Sequence, residues 1–191
     1  METVHLSRCL ALAGLVVLLS AGCASDPAKA QGPEVLAERL SGLSPAVRPE
    51  EAVLVAETAF SYPRQLAREY HAIRPAVMNN VLINLGIHQR GLCYQWADDL
   101  TVKLMTLHLQ TFEIHRGVAH LNTRHEHSCV VVTGLGQSFT NGIALDAWRY
   151  AGRLHWSRVQ TDNYEWKEVE LTPSYLAELR ATAERLESSG K

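Results

Sequence analysis

Three side chains far apart in the chain have the types that acyl-transfer chemistry needs: a thiol at Cys93, an imidazole at His127 and a carboxylate at Asp146. A thiol attacks a carbonyl as its thiolate, and a helix N-terminus favours that anion through unpaired N–H groups and the helix dipole. Cys93 stands at the predicted start of a helix, after Gly91-Leu92. Gly91 permits close approach of the backbone, so the Cys93 amide can serve a developing oxyanion. The base and its orienting partner must come from elsewhere in the fold. His127 begins a valine-rich strand and Asp146 ends the next one, so on adjacent antiparallel strands the two meet if both point to one face.

Other readings compete for each residue. A lone cysteine on an apolar helix is commonly a small core residue, and an Asp at a strand end commonly belongs to turn chemistry. Cys129 lies among valines and reads as buried; a Cys93–Cys129 disulfide is the structural rival that would remove the nucleophile. His125 is the second choice of base, because residues two apart on a strand share a face, and His120 is the third. His120, His125, His127, Cys93 and Cys129 are all zinc-ligand types, yet no pair has a spacing such as HExxH or CxxC. No metal and no cofactor is therefore expected. Asp98 and Asp99 read as a solvated patch or a first-turn cap, and Trp96 and Trp148 as core or as walls of the site.

The elements that must position these groups follow from periodicity. Apolar residues at helical spacing predict helices over 33–40, within 48–74, over 76–85 and over 94–110. Pro63 is expected to kink or divide the second of these. Trp96, Ala97, Leu100, Leu104 and Leu107 make one stripe, which puts Cys93 in the first turn of an amphipathic helix. Beyond Gly117 the period changes: 118–122 and 126–133 are β-like, and 142–148 with 153–159 form a hairpin around Tyr150-Ala151-Gly152. A charged amphipathic helix spans 173–187. Helices, then an antiparallel meander, then a closing helix make an α+β order.

The N-terminus is patterned differently. Arg8 and the free amine precede an apolar run over 9–19, which ends in Ser20-Ala21-Gly22-Cys23. The run is shorter than the about 20 apolar residues that span a bilayer, and the pattern is that of a signal peptide. Cysteine directly after Ala21-Gly22 resembles the lipobox of bacterial lipoproteins, which implies that Cys23 is lipidated and becomes the new N-terminus. The organisation expected is a signal peptide over 1–22, a lipidated tether over 23–47 and a single domain over 48–191. The lipid anchor holds the chain on a membrane surface in the cell envelope. Ala24, where Asp would mark retention at the inner membrane, points to the periplasmic face of the outer membrane. The formal net charge of −2 and the lack of a long basic run give no basis for a nucleic-acid partner.

Three blocks together carry a resemblance: Gly91-Leu92-Cys93-Tyr94-Gln95-Trp96-Ala97, then Glu126-His127-Ser128-Cys129-Val130-Val131-Val132, then Leu145-Asp146-Ala147-Trp148. In this order they resemble the core blocks of the transglutaminase-like branch of papain-fold cysteine enzymes, over roughly residues 75–160. The resemblance implies N-terminal helices with the cysteine helix packed on an antiparallel sheet. It makes Cys93 the nucleophile, His127 the general base and then acid, and Asp146 the orienter of the imidazole. Gln89, four residues before Cys93, becomes the candidate side-chain donor of the oxyanion hole, beside the Cys93 amide. Leu92, Ser128 and Ala147 depart from residues usual in that family (Gln; aromatic or small; Pro), which leaves the substrate open. The chemistry implied is attack on an amide or ester carbonyl to give a thioester, released by water or by an amine. The accessible substrates are a peptide, a protein side chain or a peptidoglycan stem peptide. A non-catalytic envelope scaffold or binding lipoprotein that retains the fold is the alternative.

Overall fold

The computed structural model describes residues 32–189, so the signal-peptide and Cys23 lipidation expectations lie outside the described residues. Helix α1 (Pro33–Ser41) begins with proline at its first position and buries Leu36 and Leu40, four apart, against α2 (Pro49–Glu69). This corrects the expected tether: residues 33–47 are part of the fold, because Leu36, Leu40 and Val47 leave water for the main core. In α2 the buried positions Ala52, Val55, Ala56, Ala59, Phe60, Pro63 and Leu66 follow helical spacing. Pro63 does not divide the helix. It forfeits one backbone hydrogen bond, but its residue is buried in a packed face, and the backbone of Gly152 lies directly on it. A Cβ at Gly152, which has φ +90°, would sit 2.7 Å from the Pro63 carbonyl oxygen and 2.5 Å from Ala67 Cβ.

Helix α3 (Val77–Asn84) follows a short loop that Asn79 ties down. The buried Asn79 carboxamide accepts from the Ile73 N–H and donates to the Ile73 carbonyl, both at 2.9 Å. Helix α4 (Cys93–Met105) turns Trp96, Ala97, Leu100 and Leu104 into the core. It stops five residues short of the expected end at 110, because Glu51 of α2 captures the chain beyond it. The Glu51 carboxylate accepts from the Gln110 N–H (3.1 Å) and from the Thr111 N–H and Oγ1 (2.9 and 2.7 Å).

The strands β1 (Phe112–Ala119), β2 (His127–Gly134), β3 (Ile143–Asp146), β4 (His155–Arg158) and β5 (Lys167–Glu168) form one antiparallel sheet in the order β4-β3-β2-β1-β5. All eight residues of β2 are buried, since both sheet faces are covered. Val130, Val132, Ile143 and Leu145 face the helices. Cys129, Val131 and Ala144 face a smaller core closed by Ala119, Phe139, Val159 and Trp166. That two-sided burial is why β2 reads as a continuous apolar run rather than an alternating one. β1 starts earlier than expected and ends at the turn after Ala119.

Helix α5 (Pro173–Ser189) packs Leu179 and Ala183 on Val102 of α4. Asp98 is not a solvated residue here. It is buried, pairs with Arg116 of β1 and accepts from the Tyr175 hydroxyl of α5, tying α4 to both neighbours. Asp99 likewise pairs with Arg90 at 2.8 Å and accepts from Tyr70. The described architecture is thus α+β, helices on one side of a five-stranded antiparallel sheet.

Candidate active site

The geometry at Cys93 starts with how α4 begins. The Gln95 side-chain oxygen accepts from the N–H groups of Gly91 (2.8 Å) and Leu92 (3.0 Å), and Trp96 Nε1 donates to the Gly91 carbonyl at 3.0 Å. These bonds fix the entry turn. Gly91 itself has φ +129°, so glycine is required there for the backbone conformation, while a Cβ would make only ordinary contacts with Ile83 and Asn79 of α3. As the first helical residue, Cys93 has no acceptor for its N–H within the helix. Its amide thus faces the same end of α4 as its sulfur. Cys93 is a free thiol, partly exposed, with Sγ 3.6 Å from the Glu126 carbonyl just before β2.

His127 opens β2, and positions 127, 129 and 131 alternate onto the face that carries Ala144 and Asp146 of β3. The single-face condition is met: His127 Nε2 lies 2.7 Å from Asp146 Oδ2, both residues being almost wholly buried. The other ring nitrogen, Nδ1, is buried and has no hydrogen-bond partner. It is the atom left for the thiol. Burial works against a charged imidazole, but the Asp146 bond, the Cys93 thiol and their charges outweigh it, so His127 is raised to about 9. Burial likewise opposes the charge on Asp146, and the bond from His127 with the Arg149 cation holds its carboxyl below the ordinary 3.8. At neutral pH the pair is imidazolium and carboxylate.

Asp146 is satisfied by four donors. Besides His127, it accepts from the backbone N–H groups of Trp148 (3.1 Å) and Arg149 (3.0 Å) and from Arg149 Nε (2.9 Å). Arg149 reaches on with Nη2 to both oxygens of Asp162, at 3.0 and 3.2 Å. Asp162 also accepts from Ser157 and the Tyr164 N–H, and these bonds bring it, against the effect of burial, to about 2. The guanidinium lies 4.8 Å from the Tyr164 ring centre. Three rings then enclose the imidazole: Trp148 and Tyr164 at 4.8 Å and Trp166 at 5.4 Å, centre to centre. Such a wall excludes water from the His127–Asp146 bond and strengthens it.

These groups border a cleft of about 370 Å³, lined in part by Val77, Asn80, Cys93, His127, Trp148 and Tyr164. This lies at the small end of ligand-cleft sizes. His120 and His125 also line it, but neither takes the place of His127. His125 is exposed and receives a hydrogen bond from Arg124 Nε at 3.2 Å, while the His120 ring stacks edge-on against Tyr164. Gln89 is not brought into this cleft. It lines a second one of about 440 Å³ with Tyr70, His71, His88 and Arg90. Cys129 is free and fully buried under Gly117, where burial pushes its thiol up, so the disulfide alternative is not formed. Among the described residues no three His, Cys, Asp or Glu side chains gather as a metal site.

The residues that sequence reading did not single out are Asn80, Arg149, Asp162, Tyr164 and Trp166. Arg149 carried a faint signal, three residues after Asp146 in one turn. Asp162 and the two rings carried none, since only the return of the chain after β4 brings them beneath β3. Trp96 proves to be core, edge-on to Tyr70 at 4.8 Å, and Trp148 a wall of the site. Comparison with family models, with curated proteins and with solved structures finds no match for this chain.

Proposed function

We propose that this chain is a membrane-anchored thiol enzyme of transglutaminase-like, papain-type architecture that acts on amide bonds. The observation that carries the reading is His127, held at 2.7 Å by Asp146 through Nε2, with a buried, unpartnered Nδ1 and a free thiol beside it at a helix start. In the proposed reaction Cys93 acts as the thiolate of a thiolate–imidazolium pair, its proton held on His127; the sulfur attacks the carbonyl carbon and the carbonyl oxygen takes up the electron pair, with the Cys93 N–H as a donor to it. Collapse expels the amine, protonated by His127, and leaves a thioester. Water gives hydrolysis; a second amine gives acyl transfer. Asp146 keeps the imidazole in the tautomer and orientation that face the thiol.

Lipidation at Cys23 would hold this site at the envelope surface, where peptides, protein side chains and peptidoglycan stem peptides are within reach. The test is alkylation of the folded protein lacking residues 1–23, with the modified cysteine located by mass spectrometry, alongside amide hydrolysis of peptide substrates. Cys93→Ala should abolish turnover and leave the fold intact, and His127→Ala should remove the rapid labelling of Cys93. Turnover that survives Cys93→Ala eliminates the mechanism.

One observation favours a second reading, a scaffolding or binding lipoprotein. Val77, Met78, Val81, Leu85 and Ile87, on and just after α3, are all more than 40% exposed. An apolar surface of this kind commonly marks a contact site. A Cys93 that labels only after unfolding would favour this reading.

A further inference from the structure

Helix α3 is built inside out. Asn79 is buried and, with Ile83 one turn on, lies on the side of Gly91. At about 100° per residue, Val77, Met78, Val81 and Leu85 fall together on the opposite side, and all four are exposed. Just beyond the helix Ile87 is exposed as well; it and Leu85 show 64% and 67% of their surface. A helix docked only for folding turns its apolar side to the core. Charge is also kept off this segment, since Pro75 to Gln89 contains no Asp, Glu, Lys or Arg. A contiguous apolar stripe in water marks a surface that something else covers.

Charge and reach indicate what covers it. Arg74, three residues before Val77, and Arg124, which lines the Cys93 cleft together with Val77, are exposed and have no carboxylate partner among the described residues, whereas Arg48, Arg90, Arg116 and Arg149 are each paired with one. An apolar stripe bordered by free cations fits the interface of an anionic bilayer, where the side chains enter the acyl boundary and guanidinium groups stay with lipid phosphates. No helix among the described residues is long and apolar enough to cross a membrane, so α3 could only lie on one. The chain between Cys23 and Pro33 extends at most about 35 Å, so the lipid proposed at Cys23 would hold the domain within about its own width of the bilayer. We propose that the α3 stripe is a membrane-seating surface that enters the headgroup layer of an anionic bilayer, with Arg74 and Arg124 on lipid phosphates. Val77 belongs to the stripe and to the cleft, so a seated α3 sets the mouth of the Cys93 cleft at the bilayer surface. This takes the proposed lipid anchoring one step further, and its test is made without the anchor.

The protein lacking residues 1–23, the same one used for alkylation, is sedimented with sucrose-loaded vesicles of equal parts phosphatidylethanolamine and phosphatidylglycerol, and in parallel with vesicles of phosphatidylcholine. The wild type should bind the anionic vesicles and bind phosphatidylcholine more weakly. Leu85→Asp should lower the partition coefficient at least about tenfold, the effect of withdrawing one large apolar side chain from the bilayer. Its site is exposed, so the fold should survive, which circular dichroism and Tm check. Arg74→Gln and Arg124→Gln should each weaken binding to the anionic vesicles about fivefold and leave binding to phosphatidylcholine unchanged. Leu135→Asp, at an exposed leucine in the turn after β2, should bind as the wild type does. A wild type that binds neither vesicle, or a Leu85→Asp variant that binds as well as Leu135→Asp, overturns the proposal. A dimer in sedimentation velocity that Leu85→Asp dissociates assigns the stripe to a second copy of the chain and overturns it as well. None of these readouts uses the Cys93 thiol or a lipid on Cys23, so the seating surface and the proposed lipid-anchored enzyme fail separately.

Discussion

Replacing Asp146 with Asn changes one atom and removes one charge, and four hydrogen bonds depend on it. The carboxylate receives His127 Nε2, Arg149 Nε and the N–H groups of Trp148 and Arg149. A carboxamide has one acceptor oxygen. If that oxygen faces the two backbone groups, its NH2 meets two further donors; turned round, it abandons the backbone of the turn that carries Trp148. Two charge-assisted bonds are lost in either case, each contributing about 1.5–3 kcal/mol. The destabilisation should therefore be roughly 3–5 kcal/mol, the range for breaking a buried ion pair.

The imidazole gives a sharper reading of the same change. His127, raised to about 9 in the native protein, stays buried in the variant but loses its largest stabilising partner, so its titration should fall well below 9. The linkage has a definite sign. A histidine raised from 6.5 to about 9 on folding stabilises the native state fully below pH 6.5, and that contribution is lost as pH rises through 9. It amounts to on the order of 3 kcal/mol. The deficit of Asp146→Asn relative to the native protein should accordingly be greatest near pH 6 and shrink toward pH 9. Urea unfolding followed by tryptophan fluorescence between pH 5 and 10, with NMR titration of the His127 ring, measures both. A His127 ring that still titrates near 9 in the variant, or a deficit constant from pH 6 to 10, refutes the pairing.

Further expectations follow from the same contacts. Arg149→Met leaves the carboxylates of Asp146 and Asp162 without their shared cation. It should cost roughly 3 kcal/mol in urea unfolding, and it should move the His127 titration above 9, the opposite direction to Asp146→Asn. Gly152→Ala combines a left-handed φ of +90° with a Cβ 2.5 Å from Ala67 and should lower stability by roughly 3 kcal/mol, read as a fall in Tm. If the proposed thiolate–imidazolium pair is the active form, turnover should be lost as pH rises through about 9, because the protonated imidazole disappears there; a profile still flat to pH 10 would exclude it. Cys23→Ala should release the protein from the membrane fraction and abolish incorporation of labelled fatty acid, and unchanged fractionation would exclude lipid anchoring at that residue.

Much of the architecture was legible in the chain because it rests on short-range rules. Helical spacing of apolar residues marked α1, α2, α3 and α4, the change to β-like segments marked the sheet, and the order of the two marked an α+β domain. Cys93 at a helix start, His127 at a strand start and Asp146 at a strand end were legible for the same reason, since each depends on where an element begins or stops. The misses share a different cause. Local rules have Pro63 kink or divide a helix that tertiary packing keeps undivided, carry the helix after Cys93 past the point where Glu51 of α2 captures the chain, and leave residues 33–47 as a tether although Leu36 and Leu40 enter the core. In each case a partner distant in sequence outweighs a local preference of about a kilocalorie or a few.

At the site the division is the same. Residue types and element order sufficed to name a thiol, an imidazole and a carboxylate as candidates. Only the β2–β3 register could set His127 and Asp146 on one face, 2.7 Å apart. Only the return of the chain after β4 could bring Asp162, Tyr164 and Trp166 to the Arg149 and His127 side chains. Only the docking of α3 against Gly91 could turn Asn80, rather than Gln89, to the cleft. Periodicity records which side of an element is buried; it carries no record of which other element does the burying, and the charge, orientation and solvation of a catalytic group depend on that second fact.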